Sequence, residues 1–146
     1  MLDSYRDLID ELLGTPQALR DLLAAHGDTG APPAVLAQIA ELRDRDLLVL
    51  ERLQTILREP NAHLRPLPEP NDDPSAGNEE AETLLASFDS ARSELVSLLI
   101  NLTLKDWERT AAHETEGEIA LAEEVERHVE FDEAHRARVT AAMAQR

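Results

Sequence analysis

The sequence predicts an all-α protein, a four-helix bundle with a long crossover loop between its second and third helices. Its 146 residues are the usual size of one domain. Leu, Ala, Val and Ile supply most of the 42% hydrophobic share and aromatic residues only 3%, which favours helices packed on helices over a sheet. Four segments have helical periodicity, and a proline-rich stretch separates the second from the third. A single domain is expected over residues 1–146.

The first helix is expected over about residues 4–25. Its apolar positions are Leu8, Leu12, Leu19, Leu22 and Leu23. Gly14, Thr15 and Pro16 interrupt this pattern; Thr15 can cap a restarted helix, and Pro16 suits its first turn. We interpret the segment as one broken or kinked helix. In an alternative architecture the protein has three helices, because this first segment is too broken to count as a helix.

The second helix is expected over about residues 33–57, after a segment rich in Gly and Pro. Its apolar positions are Val35, Ile39, Leu42, Leu47, Leu50, Leu53 and Leu57. The stretch from Arg58 to Asn78 has no apolar periodicity, and proline disfavours regular structure there. Its prolines are Pro60, Pro66, Pro68, Pro70 and Pro74. The sequence therefore predicts the crossover loop in this stretch.

The third helix is expected over about residues 79–104, because apolar residues recur there at spacings of three and four. They are Leu84, Leu85, Phe88, Ala91, Leu95, Leu98, Leu99 and Leu102. The fourth helix is expected over about residues 118–144, after Gly117. Four helices with one long connection are typical of a bundle with a crossover.

Charge and composition exclude several classes of function. The chain has 30 acidic and 14 basic residues, a net charge of −16, which repels the phosphates of nucleic acids. No apolar run is long enough to cross a bilayer, and the first residues do not resemble a signal peptide. We therefore expect a cytoplasmic protein that binds neither nucleic acid nor membrane. Because the chain has no Cys, any metal site must use His, Asp or Glu.

The last helix carries the most informative pattern. One stripe along it contains Leu121, Val125, His128, Asp132, His135 and Val139, with Phe131 at its margin. A buried carboxylate or imidazole is costly unless it is paired, hydrogen-bonded or bound to a metal. In one interpretation the stripe ends in solvent, or Asp132 and His135 form a hydrogen-bonded pair. In the other, these side chains belong to a metal or proton-transfer site completed from another helix.

Several segments resemble the DinB-like family, and also the metal-binding half of the mycothiol- and bacillithiol-dependent enzymes. In the C-terminal half they are Asp106–His113, Gly117–Leu121 and Arg127–His135. Two earlier segments, Ile39–Asp46 and Leu53–Leu67, are similar to the family's second helix and crossover loop. The resemblance covers roughly Val35 to Val139.

The resemblance implies an open divalent-metal site. Family members place one His on the second helix and two His, four residues apart, on the fourth. The corresponding positions of this sequence are Glu41, Phe131 and His135. Glu41 and His135 are the implied ligands of Ni, Zn or Fe, with His128 or Asp132 in the place of the imidazole that Phe131 lacks. With two of three His replaced, a site that holds no metal is the other expectation.

Three functions follow from the resemblance. The first is a DinB-like protein whose metal site is degenerate and empty. The second is a metal-dependent S-transferase or hydrolase that uses an external low-molecular-weight thiol, and the third is a stress-response or ligand-binding module without catalysis. Trp107 and His113 either mark the rim of the pocket or serve as a packing anchor and a local hydrogen-bonding group. A homodimer is also implied.

Overall fold

The structure is a computed structural model that describes residues 2–25, 31–68 and 80–144. Four long helices form a bundle, which confirms the predicted fold class. In chain order the elements are α1 (Leu2–Ala25), α2 (Pro33–Arg58), β1 (His63–Leu64), α3 (Ala81–Ile100), α4 (Leu104–Trp107), β2 (Thr110–His113), β3 (Gly117–Ala120) and α5 (Leu121–Ala144). Both α1 and α2 pack against α3 and α5, so α1 lies diagonally opposite α2. In the described ranges no helix is both long and apolar enough to cross a membrane.

Of the predicted broken or kinked helix, the break is wrong, because α1 continues through Pro16. The three-helix alternative is wrong for the same reason. Proline has no N–H for the carbonyl four residues earlier, which here belongs to Leu12. Nη1 of Arg92, on α3, donates to that carbonyl at 2.7 Å. Thr15 does not cap a helix; its hydroxyl donates to the carboxylate of Asp132 on α5. A hydrogen bond between helices thus replaces the one that proline removes.

A three-stranded sheet, which the sequence did not predict, joins the crossover to the chain before α5. Strand β1 pairs in parallel with β2, and β2 pairs antiparallel with β3. Residues 118–120, predicted to begin the last helix, lie in β3 instead. Gly117 has a φ of 78° at the start of β3, a conformation that glycine adopts without steric cost. Pro70 and Pro74 of the predicted loop lie outside the described residues.

The end of the third helix also differs from its prediction. Helix α3 ends at Ile100, and α4 is a separate turn. The Thr103 hydroxyl accepts from the backbone N–H of Asp106, whose carboxylate accepts from the N–H of Thr103. This reciprocal cap favours a new helical turn over continuation of α3.

The interior of the bundle contains two apolar clusters with polar residues between them. One cluster includes Leu12, Val49, Leu95 and Val129, and the other includes Leu19, Leu42, Phe88 and Val139. Each long helix contributes one buried polar residue to a hydrogen-bonded group that lies between the clusters. The four are Thr15, Asp46, Arg92 and Asp132, and they are named the polar layer here. Each is at most 2% exposed, so the layer is part of the core.

Candidate functional site

Arg92 is the centre of the polar layer. Its Nε and Nη2 donate to the two carboxylate oxygens of Asp46 at 2.7 and 3.0 Å. Nη2 also donates to Asp132 at 2.7 Å, and Thr15 donates to the other oxygen of that carboxylate. One guanidinium from α3 therefore joins carboxylates from α2 and α5 with a hydroxyl from α1. Buried charges are tolerated when they are paired and hydrogen-bonded in this way.

Asp46 and Arg92 keep their ionised forms within the polar layer. Burial alone would raise the pKa of Asp46, but hydrogen bonds from His128 and Arg92 hold it below its ordinary value. Burial alone would lower the pKa of Arg92, whereas its hydrogen bonds and charge interactions with Asp46 and Asp132 raise it. Asp46 is therefore a carboxylate and Arg92 a guanidinium at neutral pH.

His128 links the polar layer to the surface of the bundle. Its Nε2 lies 2.6 Å from Oδ1 of Asp46, and because a carboxylate only accepts, Nε2 donates. The residue is 3% exposed, and its Nδ1 has no hydrogen-bond partner among the described residues. A buried polar atom without a partner is rare in folded proteins. Nδ1 is therefore a candidate contact for a ligand or a water molecule.

Phe131 lies between two polar side chains, next to His128. One ring face stacks on His135, with centroids 4.0 Å apart and planes 25° apart. The guanidinium of Arg45, on α2, lies 4.4 Å from the ring centroid, a cation–π geometry. The ring thus fills the space between α2 and α5 at a position where the resemblance implies an imidazole ligand.

His135 has one engaged nitrogen and one that is buried without a partner. Nδ1 lies 3.0 Å from the carbonyl oxygen of Phe131, so Nδ1 carries a proton. Burial lowers the pKa of this imidazole, which makes the neutral form dominant at neutral pH. In that form the buried Nε2 presents a lone pair, and it has no partner in the described part of the chain.

The residues at the implied ligand positions do not fit a closed divalent-metal site. Phe131 supplies no donor atom. His128 and Asp132, the substitutes that the sequence suggested, are engaged with Asp46 and Arg92. In the ranges that the structure describes, no three His, Asp or Glu side chains converge in a way that could hold an ion. Glu41 is half-buried on α2, and the pair of Glu41 and His135 stays a prediction that lacks a third ligand.

A cavity of about 290 Å³ opens beside His128 and Phe131. Helices α2 and α5 form two of its sides, and the crossover and the β2–β3 turn form the others. Its lining residues are Arg45, Val49, Arg52, Pro66, Leu67, His113, Thr115, Glu116, Glu124, Arg127, His128 and Phe131. The pairing of Leu64 in β1 with His113 in β2 holds the crossover close to this turn. The unpredicted sheet therefore completes the wall of the cavity.

The stripe on the last helix is buried along its whole length. Its six residues are at most 3% exposed, and Phe131 at the margin is half-buried. The stripe does not end in solvent. Asp132 and His135 do not pair with each other as one interpretation proposed, because Arg92 and Thr15 bind the carboxylate and the imidazole binds a backbone carbonyl.

Sequence reasoning missed Asp46 and Arg92, although their spacing carried a signal. Asp46 follows Leu42 by four residues and precedes Val49 by three. Arg92 has the same spacing relative to Phe88 and Leu95. A charged residue in the middle of an apolar stripe is a candidate for a buried pair, and these two have opposite charges.

Trp107 and His113 have different roles. Trp107 is 2% exposed and stacks on Tyr5 at a centroid distance of 4.5 Å, as expected of a packing anchor. Nδ1 of His113 accepts from the backbone N–H groups of Thr115 and Glu116 at 3.2 and 3.3 Å. This is the local hydrogen bonding that was one of the two roles predicted for His113, and His113 also lines the cavity.

Comparison with known proteins shows the fold. No family model matches the chain, and no curated protein matches it. A solved structure, YfiT from Bacillus subtilis, is similar over 97% of this chain and 87% of that one, with a TM-score of 0.75 and 19% sequence identity. YfiT is described as a probable metal-dependent hydrolase with an unusual four-helix bundle topology. At this identity the similarity shows that this chain is a four-helix bundle of the same topology.

Proposed function

We propose that the protein is a metal-independent DinB-like bundle that binds a small molecule in the cavity beside His128. The stack of Arg45, Phe131 and His135 carries this proposal. It puts an aromatic ring and a cation where the family resemblance requires ion ligands. A guanidinium beside the ion position opposes a second cation, and a phenyl ring supplies no lone pair.

The cavity supports a binding role. Its volume, about 290 Å³, is at the lower end of the range for small-molecule sites. Its wall combines apolar and polar side chains, and the unpartnered Nδ1 of His128 offers one contact to a ligand. Rigid helices with an ordered polar layer behind them position this wall, which limits the reorganisation that binding would require.

Metal analysis of the untagged protein tests the metal-independent part. We expect far less than one Ni, Zn or Fe per chain in the wild type after exposure to each ion. Phe131→His should create divalent-ion binding, because it adds an imidazole four residues before His135. Phe131→Leu is the matched control and should bind no ion. Stoichiometric metal in the wild type that disappears in both Glu41→Ala and His135→Ala would overturn the proposal.

A metal-dependent hydrolase or thiol S-transferase is the second candidate. One observation favours it: His135 directs Nδ1 to a backbone carbonyl and leaves Nε2 without a partner. Metal-binding histidines commonly have this arrangement. The description of YfiT as a probable metal-dependent hydrolase points the same way. The metal analysis above decides between the two candidates, and the homodimer implied by the resemblance stays a prediction.

A further inference from the structure

We infer that the cavity recognises a neutral ligand through an N–H or O–H group, which donates a hydrogen bond to Nδ1 of His128. This inference rests on the proposed function, since it assigns a chemical class to the ligand of the same cavity. Two polar residues of α5 that line the cavity, Glu124 and His128, are each 3% exposed. They are four residues apart and therefore lie on one face of the helix. The groups that they present decide which ligands the cavity can hold.

The imidazole of His128 presents a hydrogen-bond acceptor. Its Nε2 lies 2.6 Å from Oδ1 of Asp46, and Arg92 fixes the same carboxylate through both oxygens. Because a carboxylate only accepts, the neutral imidazole has its proton on Nε2 and a lone pair on Nδ1. Nδ1 has no hydrogen-bond partner within the described residues. A donor on the ligand would supply the partner that the protein itself does not.

Glu124 adds a second acceptor on the same face of α5. One of its carboxylate oxygens accepts from Nη1 of Arg52 at 3.2 Å. An ionised carboxylate has several lone pairs and no proton to donate. A ligand oxygen without a proton would therefore face lone pairs at both Glu124 and His128, whereas an N–H or O–H group would face acceptors.

Each guanidinium of the wall already binds another group of the protein. Arg52 pairs with Glu124 and Arg127 with Glu116, so two arginines are matched by two carboxylates. Arg45 donates to a backbone carbonyl of the crossover at 2.5 Å. An incoming anion would compete with these contacts, whereas a neutral donor leaves them intact. The charges of the wall thus favour a neutral ligand.

The rest of the wall fits the hydrocarbon part of such a ligand. Val49, Leu67 and Phe131 line the cavity with apolar surface. A volume of about 290 Å³ suits a compact ring system rather than a nucleotide or a long acyl chain. The inferred ligand is thus a small, largely apolar molecule with an N–H or O–H group.

Indole and benzofuran form a matched pair of probes, because they share size and shape and differ only in that an oxygen replaces the N–H group. Both are titrated calorimetrically into the full chain at about pH 8, which favours neutral histidines. Indole should bind, with benzofuran weaker by roughly tenfold or more, since its oxygen would face the lone pair of Nδ1. Benzoate tests the charge of the ligand and should also bind roughly tenfold more weakly than indole.

His128→Phe removes the acceptor and keeps an aromatic ring on the wall. The affinity for indole should fall by roughly tenfold in this variant, so that the preference over benzofuran disappears. His63→Phe makes the same exchange at an exposed histidine that does not line the cavity, and it should keep the wild-type preference. Circular dichroism checks that both variants are folded, and the comparison of probes within the wild type does not depend on them.

Each outcome of these titrations bears on the inference. Equal affinities of the wild type for indole and benzofuran would overturn the donor class and leave a metal-free binding cavity in place. A preference for indole that survives in His128→Phe would overturn the role of Nδ1. Tighter binding of benzoate than of indole would overturn the neutral class, and binding of none of the probes would overturn the inference as a whole. A stoichiometric metal ion would instead contradict the proposed function.

Discussion

Arg92 donates hydrogen bonds to three buried acceptors on three other helices. These are the carboxylates of Asp46 and Asp132 and the carbonyl of Leu12. Its guanidinium also lies 4.8 Å from the ring centroid of Phe88. Planar geometry with several N–H groups in fixed directions makes arginine suited to this role, which lysine with one ammonium group could not fill. The polar layer therefore depends on the residue type as well as on the charge.

Asp46→Asn should destabilise the protein at neutral pH by about 3 kcal/mol, because it removes the main counter-charge of a buried guanidinium. Since folding lowers the pKa of Asp46, its stabilising effect is fully present above the unfolded-state pKa of about 3.9. It is lost as the pH falls from there through the folded-state pKa. Urea unfolding at several pH values should thus show the wild type and variant converging in acid.

Asp44→Asn is the control for this prediction. Asp44 lies on the same helix, pairs with Arg43 at 3.1 Å and has a side chain that is 57% exposed. Its replacement should change the free energy of unfolding by less than about 1 kcal/mol. The assigned direction of the pKa shift would be contradicted if the difference in free energy of unfolding between the wild type and Asp46→Asn stayed constant between pH 7 and pH 2. It would also be contradicted if that difference shrank only above pH 5.

The residues of the candidate site differed in how far the sequence could predict them. His128, Asp132 and His135 were identified because helical geometry alone places them on one face. Their partners were not, since the spacing along one helix does not determine which side chain of another helix it meets. Asp46 and Arg92 are 46 positions apart, and only the packing of α2 on α3 brings them together.

At the scale of elements, Pro16 and Arg92 act together. Proline within a helix normally costs about 3 kcal/mol, partly through the hydrogen bond it removes. Here Arg92 supplies a donor to the carbonyl that Pro16 leaves open, on Leu12. The continuity of α1 therefore has a tertiary cause, which explains why local signals predicted a break.

A double-mutant cycle between Pro16→Ala and Arg92→Met measures this coupling. Arg92→Met alone should cost about 3–5 kcal/mol. In the Pro16→Ala background the new alanine N–H can bond to the Leu12 carbonyl, so the cost should be smaller by about 1 kcal/mol. The free energies of unfolding of the four proteins, from urea titrations, give the coupling energy.

Thr103→Ala provides the reference for that cycle. It removes the cap of α4, far from the polar layer, and should cost about 1 kcal/mol in both backgrounds. The contrary result would be that Arg92→Met lowers the free energy of unfolding by the same amount in the wild-type and Pro16→Ala backgrounds. That result would mean that the hydrogen bond from Arg92 to the Leu12 carbonyl does not help α1 to accommodate Pro16.

The strands could not be predicted because their stability is not local. Strand β1 has two residues, too few for any pattern, and it pairs with residues 112 and 113, about fifty positions later. Strands β2 and β3 have four residues each, and the start of β3 continues smoothly into the helical pattern of α5. Short strands of this kind exist because the bundle brings their backbones together.

For the whole molecule, the polar layer raises the question of why a core contains it. A buried charge network often contributes less to stability than well-packed hydrophobic residues of similar volume. The layer does hold His128, through Asp46, at the wall of the cavity. We therefore expect it to serve the site rather than overall stability.

Simultaneous apolar replacement of the network tests this expectation. The variant combines Thr15→Val, Asp46→Leu, Arg92→Met, His128→Leu and Asp132→Leu. It should be at least as stable to urea as the wild type, since no unpaired charge remains, whereas Arg92→Met alone is strongly destabilised. Small-molecule binding in the cavity should be lost from the combined variant, because its cavity has no imidazole at position 128. A combined variant that unfolds more easily than Arg92→Met would instead mean that the network stabilises the bundle. Retained stability with unchanged affinity for the cavity's ligand would show that the layer does not serve the cavity, and the fixed position of His128 would then have no part in ligand binding.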